Sequence, residues 1–123
     1  MNLKKKHPIT LFNDVFYTPI YAGRLVQVVH QLFERFAIGT FHVVGNERVS
    51  KYDFGMQLAS IFGLDKKLIS AGSVHLQHNR VVRPNDMSLS NKKVSNDLNI
   101  HVGGIREHLL KMAQSHYSEL EAI

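Results

Sequence analysis

The sequence predicts a mixed α/β fold, a small few-stranded sheet with three to four helices, which in isolation is an α+β arrangement. Three observations predict it. Tyr21, Leu25, Val28, Val29, Leu32, Phe33 and Phe36 recur at spacings of three and four, the pattern of a buried helical stripe. Short runs of β-branched and aromatic residues lie before and after that stripe, bounded by Gly, Asn and Asp. Finally, 123 residues with 44% hydrophobic content suit one modest domain spanning 1–123. A fold of about 250 residues, such as a complete TIM barrel, does not fit.

Residues 1–8, with Lys4, Lys5 and Lys6 together, lack periodicity and read as a flexible lead-in. From Ile9 to Tyr17 two β-prone pieces flank the turn signal Asn13-Asp14. Thr18-Pro19 predicts the opening of the first helix, since proline loses nothing in a first turn whose N–H groups are unpaired anyway. Arg24, Gln27, Gln31, Glu34 and Arg35 form its polar face, and Gly39 its end. Thr40-Phe41-His42-Val43-Val44 then reads as a strand, apolar on both faces and fit for a sheet interior, with His42 as a hydrogen-bonded core histidine.

Ser50 and Asp53 have capping-box spacing and introduce a helix to about Phe62 that buries Phe54, Leu58, Ile61 and Phe62, with Gly63 just past its end. A strand is predicted over Leu68–Val74. Ser90 is placed to cap a short helix ending near Leu98. Gly103-Gly104 precedes a last helix carrying Ile105, Leu109, Leu110, Met112 and Ala113.

No apolar run exceeds three residues, so the sequence predicts no membrane span and no signal peptide, hence a soluble, cytoplasmic protein. The absence of cysteine excludes disulfides, thiolate catalysis and thiolate metal sites within this sequence. The net charge of +5 is unevenly spread. Residues 66–93 carry Lys66, Lys67, Arg80, Arg83, Lys92 and Lys93 against Asp86 alone, which marks that stretch for an anionic partner.

Eight histidines raise the question of a metal, but His75 and His78 lack the helical HExxH setting, and no metal site is predicted. Neither a GxSxG elbow nor a distinguished pair of carboxylates is present, so no catalytic residue is assigned. GxGxxG and GxxxxGK[ST] are also missing, so no cofactor-binding residue is assigned and no cofactor is expected on this chain. The informative stretch runs from Arg83-Pro84 to Lys92-Lys93. Pro84 biases Arg83 toward an extended backbone, and a guanidinium fork matches paired phosphate oxygens. Arg83 is the candidate phosphate ligand, with Lys92 and Lys93 as electrostatic helpers.

Taken in order, Tyr17-Thr18-Pro19-Ile20-Tyr21-Ala22, Gly39-Thr40-Phe41-His42-Val43-Val44-Gly45, Val49-Ser50-Lys51-Tyr52-Asp53-Phe54 and Arg83-Pro84 with Leu89-Ser90 and a following lysine resemble the C-terminal part of extended short-chain dehydrogenase/reductases. Within that family the resemblance is to the dTDP-4-dehydrorhamnose reductase branch, over about residues 9–112. It implies a Rossmann part with a glycine-rich NAD(P) loop and a Tyr-x-x-x-Lys pair, neither of which this sequence contains. Tyr17, Tyr52 and Tyr117, for example, are followed four positions later by Tyr21, Met56 and Glu121. The family's acidic residue near Gly23 and Arg24 is also missing.

The resemblance thus implies the nucleotide-sugar-binding portion of an NAD(P)-dependent reductase, with NAD(P)H held by the Rossmann half and a dTDP-sugar as ligand. It also implies that Thr40–Val44 is a sheet strand without its neighbours, so a homodimer through that edge is expected. The alternative is a small basic nucleic-acid-binding module on residues 66–93. That segment has no aromatic residue to stack on bases and no recognisable binding motif.

Overall fold

A computed structural model describes residues 7–76 and 84–121, apart from the side chains of Leu76 and of residues 117–121. In chain order the elements are β1 (Ile9–Phe12), β2 (Phe16–Tyr17), α1 (Ala22–Glu34), β3 (Val49–Ser50), α2 (Lys51–Phe62), β4 (Ile69–Gly72), α3 (Lys92–Leu98) and α4 (Ile105–Glu121). This is the expected mixed α/β composition, with four α-helices and two short two-stranded ladders among the described residues. The chain forms two compact units. One combines the chain up to Tyr17 with Val49–Ser88, and the other combines Thr18–Arg48 with the chain from Leu89 onward.

In the first unit β1 runs parallel to β4, with Ile9 opposite Ile69 and Phe12 opposite Gly72. β2 pairs antiparallel with β3, Phe16 opposite Ser50 and Tyr17 opposite Val49. The turn signal at Asn13-Asp14 is held by the end of β4. Asn13 N–H donates to the Gly72 carbonyl at 3.0 Å, and the Asp14 carboxylate accepts from Ser73 Oγ at 2.5 Å and Val74 N–H at 3.0 Å.

Ser50 caps α2 as its spacing predicts, its buried hydroxyl accepting from Asp53 N–H at 3.0 Å. Gly63, in the left-handed region at φ 67°, ends the helix. Leu58 and Ala59 face inward, and Ala59 and Ile69 centre a core shared with Ile9, Leu11, Tyr52 and Met56. The expected strand over Leu68–Val74 shortens to β4, because 3₁₀ turns occupy Lys66–Leu68 and Val74–Leu76.

In the second unit the core is Val28, Val94, Leu98 and Val102, with Ile20, Leu32, Phe41, Val43 and Ile100 packed around it. Helix α1 starts at Ala22, not at Thr18-Pro19. Tyr21 is extended (φ −68°, ψ 132°), and its N–H is bonded to the His108 ring, which keeps the preceding chain out of the helix. The helix also ends earlier than Gly39. Phe36 takes the left-handed position at φ 53°, its N–H reaching the Phe33 carbonyl and Ala37 N–H the Leu32 carbonyl, both at 3.1 Å. That is a Schellman closure with phenylalanine where glycine is usual. The buried stripe narrows accordingly. Val28 is buried and Leu25 and Leu32 half-buried, whereas Val29, Phe33 and Phe36 are exposed.

Thr40–Val44 forms no strand. Two of its carbonyls accept from side chains instead, Thr40 from Lys93 Nζ at 2.8 Å and Val44 from Asn91 Nδ2 at 3.0 Å. His42 is exposed, not a core histidine. Asn91, not Ser90, stands at the N-cap of α3, with Ser90 Oγ accepting from Lys92 N–H at 3.3 Å. On α4, Ile105, Leu109 and Ala113 are buried at a spacing of four, while Leu110 is exposed.

The two units make separate demands on glycine. Gly45 is buried, and a Cβ there would overlap the Pro19 carbonyl oxygen, a backbone atom that cannot swing aside. Gly63 has open space around it but a left-handed φ. We predict that Gly45→Ala lowers stability by roughly 1 to 3 kcal/mol through overpacking. Gly63→Ala should cost about 1 kcal/mol through backbone strain alone. Urea denaturation of both variants checks the ranking.

Candidate functional site

Of the predicted site residues, Arg83 lies outside the described residues, as does His78. Directly after Pro84 the chain bridges to β2, Asp86 lying opposite Phe16. Phe16 N–H donates to the Asn85 carbonyl at 2.7 Å, and Met87 N–H to the Phe16 carbonyl at 2.8 Å. Lys92 and Lys93 open α3. Lys92 is exposed. Lys93 donates to the Thr40 carbonyl and sits 4.3 Å from the centre of the Phe41 ring, so its ammonium is already employed in holding the 40–44 run.

The most elaborate polar constellation was not anticipated. It gathers Asn46, Glu47, Asn91, His101, Glu107 and His108 around the start of α4. Asn91 Nδ2 donates to Asn46 Oδ1 at 2.7 Å, Asn46 Nδ2 faces His101 Nδ1 at 3.3 Å, and His101 Nε2 faces Glu107 Oε1 at 2.9 Å. With Asn46 donating, His101 Nδ1 accepts and the ring proton sits on Nε2, so every bond in the series points toward the carboxylate. Gly104 N–H also reaches Glu107 Oε1 at 3.4 Å, the reciprocal half of a capping box, and Glu47 Oε1 accepts from Ile105 N–H at 3.2 Å. Two carboxylates therefore face the positive end of α4. The bond from His101, then that from Gly104, hold the Glu107 carboxyl below its ordinary range.

His108 is 4% exposed and bonded on both ring nitrogens. Tyr21 N–H can only donate, so Nδ1 accepts at 3.2 Å, and the proton resides on Nε2, which donates to the Gly103 carbonyl at 3.0 Å. The ring is neutral. Burial is the leading cause that pushes its pKa below 6.5, against a smaller opposing effect of the Gly103 bond.

Beside this network lies a hollow of about 550 Å³ lined by Asn46, Asn91, Ser95, Asn99, Ile100 and His101. Its amide and imidazole groups set donors beside acceptors, which suits hydroxyl groups. In the first unit, Tyr17 packs edge-on against Phe54 with centroids 5.8 Å apart, and burial raises its phenol to about 12. His75 Nε2 stands 3.1 Å from Asn85 Nδ2 and 3.8 Å from Asp14 Oδ2. The Ser73 and Val74 bonds lower the Asp14 carboxyl. Ser73 donates straight to Asp14, so the three residues do not form a Ser-His-Asp relay. Among the described residues no group of three or more His, Asp or Glu side chains could hold a metal, and no helix is long and apolar enough to cross a membrane.

The one sequence signal for the α4 network was the Gly-x-x-Glu spacing of Gly104 and Glu107. Asn46, Glu47 and Asn91 are brought to it only by folding.

Among solved structures, this fold is shared with dTDP-4-dehydrorhamnose reductases. It resembles a dTDP-4-dehydrorhamnose reductase of Bacillus anthracis solved with NADP, with a TM-score of 0.79 and 18% identity over 88% of this chain and 38% of that one. An orthologue from Clostridium acetobutylicum gives a TM-score of 0.79 and 24% identity over 99% of this chain and 42% of its own. In sequence the chain is 29% identical over 112 residues to a probable low-salt glycan biosynthesis reductase, Agl14, of Haloferax volcanii, covering 89% of this chain and 37% of that protein. The family described as the RmlD substrate binding domain matches residues 1–118, and the chain belongs to that family. It spans well under half the length of these relatives. Neither the fold nor these relatives support the nucleic-acid alternative.

The neutral state of His108 has a consequence for stability. As pH falls through 6.5 the unfolded chain takes up a proton that the folded imidazole refuses, so this contribution is complete above that value and is lost below it. We predict that urea-denaturation stability declines between pH ~7 and ~5, with a shallower decline in His108→Gln. At neutral pH that variant should be less stable by roughly 1 to 3 kcal/mol, because Gln cannot meet both backbone partners in the same geometry.

Proposed function

We propose that this chain is the sugar-nucleotide-binding portion of an NAD(P)-dependent reductase of the dTDP-4-dehydrorhamnose type, and that it binds without catalysing alone. The observation that carries this reading is the family match over residues 1–118. In the proposal Arg83 grips the diphosphate, Lys92 supplies positive potential, and Lys93 contributes charge while anchoring Thr40. The amide-lined hollow at Asn46, Asn91 and His101 offers matching partners for sugar hydroxyls. The sequence has no glycine-rich dinucleotide loop and no Tyr-x-x-x-Lys pair. The nicotinamide that supplies the hydride therefore belongs to a Rossmann half acting as partner, in the cytoplasm. This chain's part is to orient the 4-keto sugar.

Two measurements test the proposal. The chain alone should show no sugar-dependent oxidation of NADH or NADPH with a dTDP-4-keto sugar, since positioning does not replace a proton donor. Sustained turnover by the purified chain would contradict this. Calorimetry with dTDP, on the chain joined to a cofactor-binding half, should show that Arg83→Lys weakens binding by roughly 1 to 3 kcal/mol, the scale of a lost charged hydrogen bond. Arg80→Lys should matter less. Equal affinity for wild type and Arg83→Lys would remove Arg83 from the site.

A further inference from the structure

Asn91 stands at the N-cap of α3, yet its side chain makes no cap bond. An asparagine in that position ordinarily turns its carbonyl oxygen to an N–H of the first turn. Here the amide is turned the other way. Its Nδ2 lies 3.0 Å from the Val44 carbonyl and 2.7 Å from Asn46 Oδ1. A backbone carbonyl can only accept, so the end of the Asn91 amide that faces Val44 is the NH₂ group, and both of its protons are committed. Oδ1 is left without a partner among the described residues, as the polar atom that this side chain still offers to the hollow it lines.

Asn46 is constrained in the same way. Its Oδ1 accepts from Asn91, and its Nδ2 gives one proton to His101 Nδ1 at 3.3 Å, which leaves one N–H. His101 is engaged on both ring nitrogens, since Nε2 donates to Glu107 Oε1 at 2.9 Å. The row ends on the Val44 carbonyl and the Glu107 carboxylate, two groups that only accept, so neither amide can turn over without setting like against like. The hollow therefore carries a fixed acceptor, Asn91 Oδ1, beside a fixed donor, the second Asn46 N–H. Ser95 and Asn99 line it as well. A hydroxyl rotates and an exposed amide turns over, so these two do not set its polarity.

One hydroxyl group satisfies both fixed atoms, donating to Asn91 and accepting from Asn46, and a neighbouring pair does so with one oxygen each. A carbonyl oxygen has no proton for Asn91 and would face it lone pair to lone pair. We propose that Asn91 is the specificity-determining residue of the hollow, admitting a sugar by carbons that bear hydroxyl groups and refusing the keto carbon. The identity of the ligand rests on the sugar-nucleotide reading above, whereas the demand for a donated proton rests on the row of side chains alone. In a nucleotide-linked 4-keto sugar C1 carries the diphosphate and C4 the carbonyl, so the C2 and C3 hydroxyls are the ones that enter.

The probes are methyl rhamnoside, a stand-in for the sugar of the proposed ligand with hydroxyls at C2, C3 and C4, and its three monofluorinated analogues, in which fluorine fills the place of one hydroxyl but donates no proton. In an NMR titration of the full chain, the parent sugar should shift the side-chain carbonyl carbon of Asn91 while the Nδ2 protons, already bonded, stay in place. The 2-fluoro or the 3-fluoro analogue should bind about three- to tenfold more weakly, the loss of one neutral hydrogen bond, and the 4-fluoro analogue should bind as the parent does. In Asn91→Ala, with circular dichroism unchanged, the weakened analogue and the parent should bind alike, because the acceptor that distinguishes them is gone. The carbon shift and the fluorine series are read on the wild type and decide the matter even where that variant does not fold. Equal affinity for all four sugars, or weakening at C4 alone, overturns the proposal and leaves the hollow as an unselective sugar site. No shift at Asn91, Asn46 or Asn99 with the parent sugar at tens of millimolar overturns it together with the part of the hollow in the sugar-nucleotide reading, while the measurement on Arg83 is untouched by that result.

Discussion

The second unit depends on one uncharged imidazole. His108 joins the residue that precedes α1 to the loop that precedes α4, accepting from Tyr21 N–H and donating to the Gly103 carbonyl. Either change of protonation would break this link. A proton on Nδ1 would set donor against donor at Tyr21, and a deprotonated Nε2 would face Gly103 lone pair to lone pair. With both bonds made, Tyr21 is held extended and α1 begins at Ala22, which places Val28 against Val94, Leu98 and Val102. Arg24, one turn into the helix, strengthens the same junction by donating to the Val102 carbonyl at 3.3 Å and the His101 carbonyl at 2.8 Å.

Local signals were legible where local physics decides. Ser50, Asp53 and Gly63 bracket α2 because a hydroxyl cap and a left-handed glycine act within one turn of their own chain. The last helix was legible in the same way from its apolar spacing. The start of α1 was not, because Tyr21 is fixed by a residue 87 positions away, and a proline that favours a first turn has no influence on that bond. The end of α1 was misplaced for a different reason. Phe36 adopts a conformation that its residue type disfavours, so Gly39 looked like the stop.

Thr40–Val44 shows how a correct pattern can lead to a wrong element. Its apolar residues do reach the core, Phe41 and Val43 packing against it. Hydrogen bonding, not apolar pattern, makes a strand, and here Lys93 and Asn91 take two of its carbonyls. The same observation bears on the candidate site. A lysine counted in sequence as free positive charge is, in the fold, also a structural donor, and the residues best arranged to meet hydroxyl groups are amides and histidines that no charge count would single out. Resemblance over about residues 9–112 pointed to the family; the geometry adds where polar groups converge.

His108 is a neutral Nε2-protonated ring bridging two backbone groups. The most direct test is a long-range proton–nitrogen correlation spectrum of the histidine rings at neutral pH. His108 should show a protonated Nε2 and an unprotonated, hydrogen-bond-accepting Nδ1. A cationic ring, or a proton on Nδ1, would contradict this assignment and remove the link that places α1.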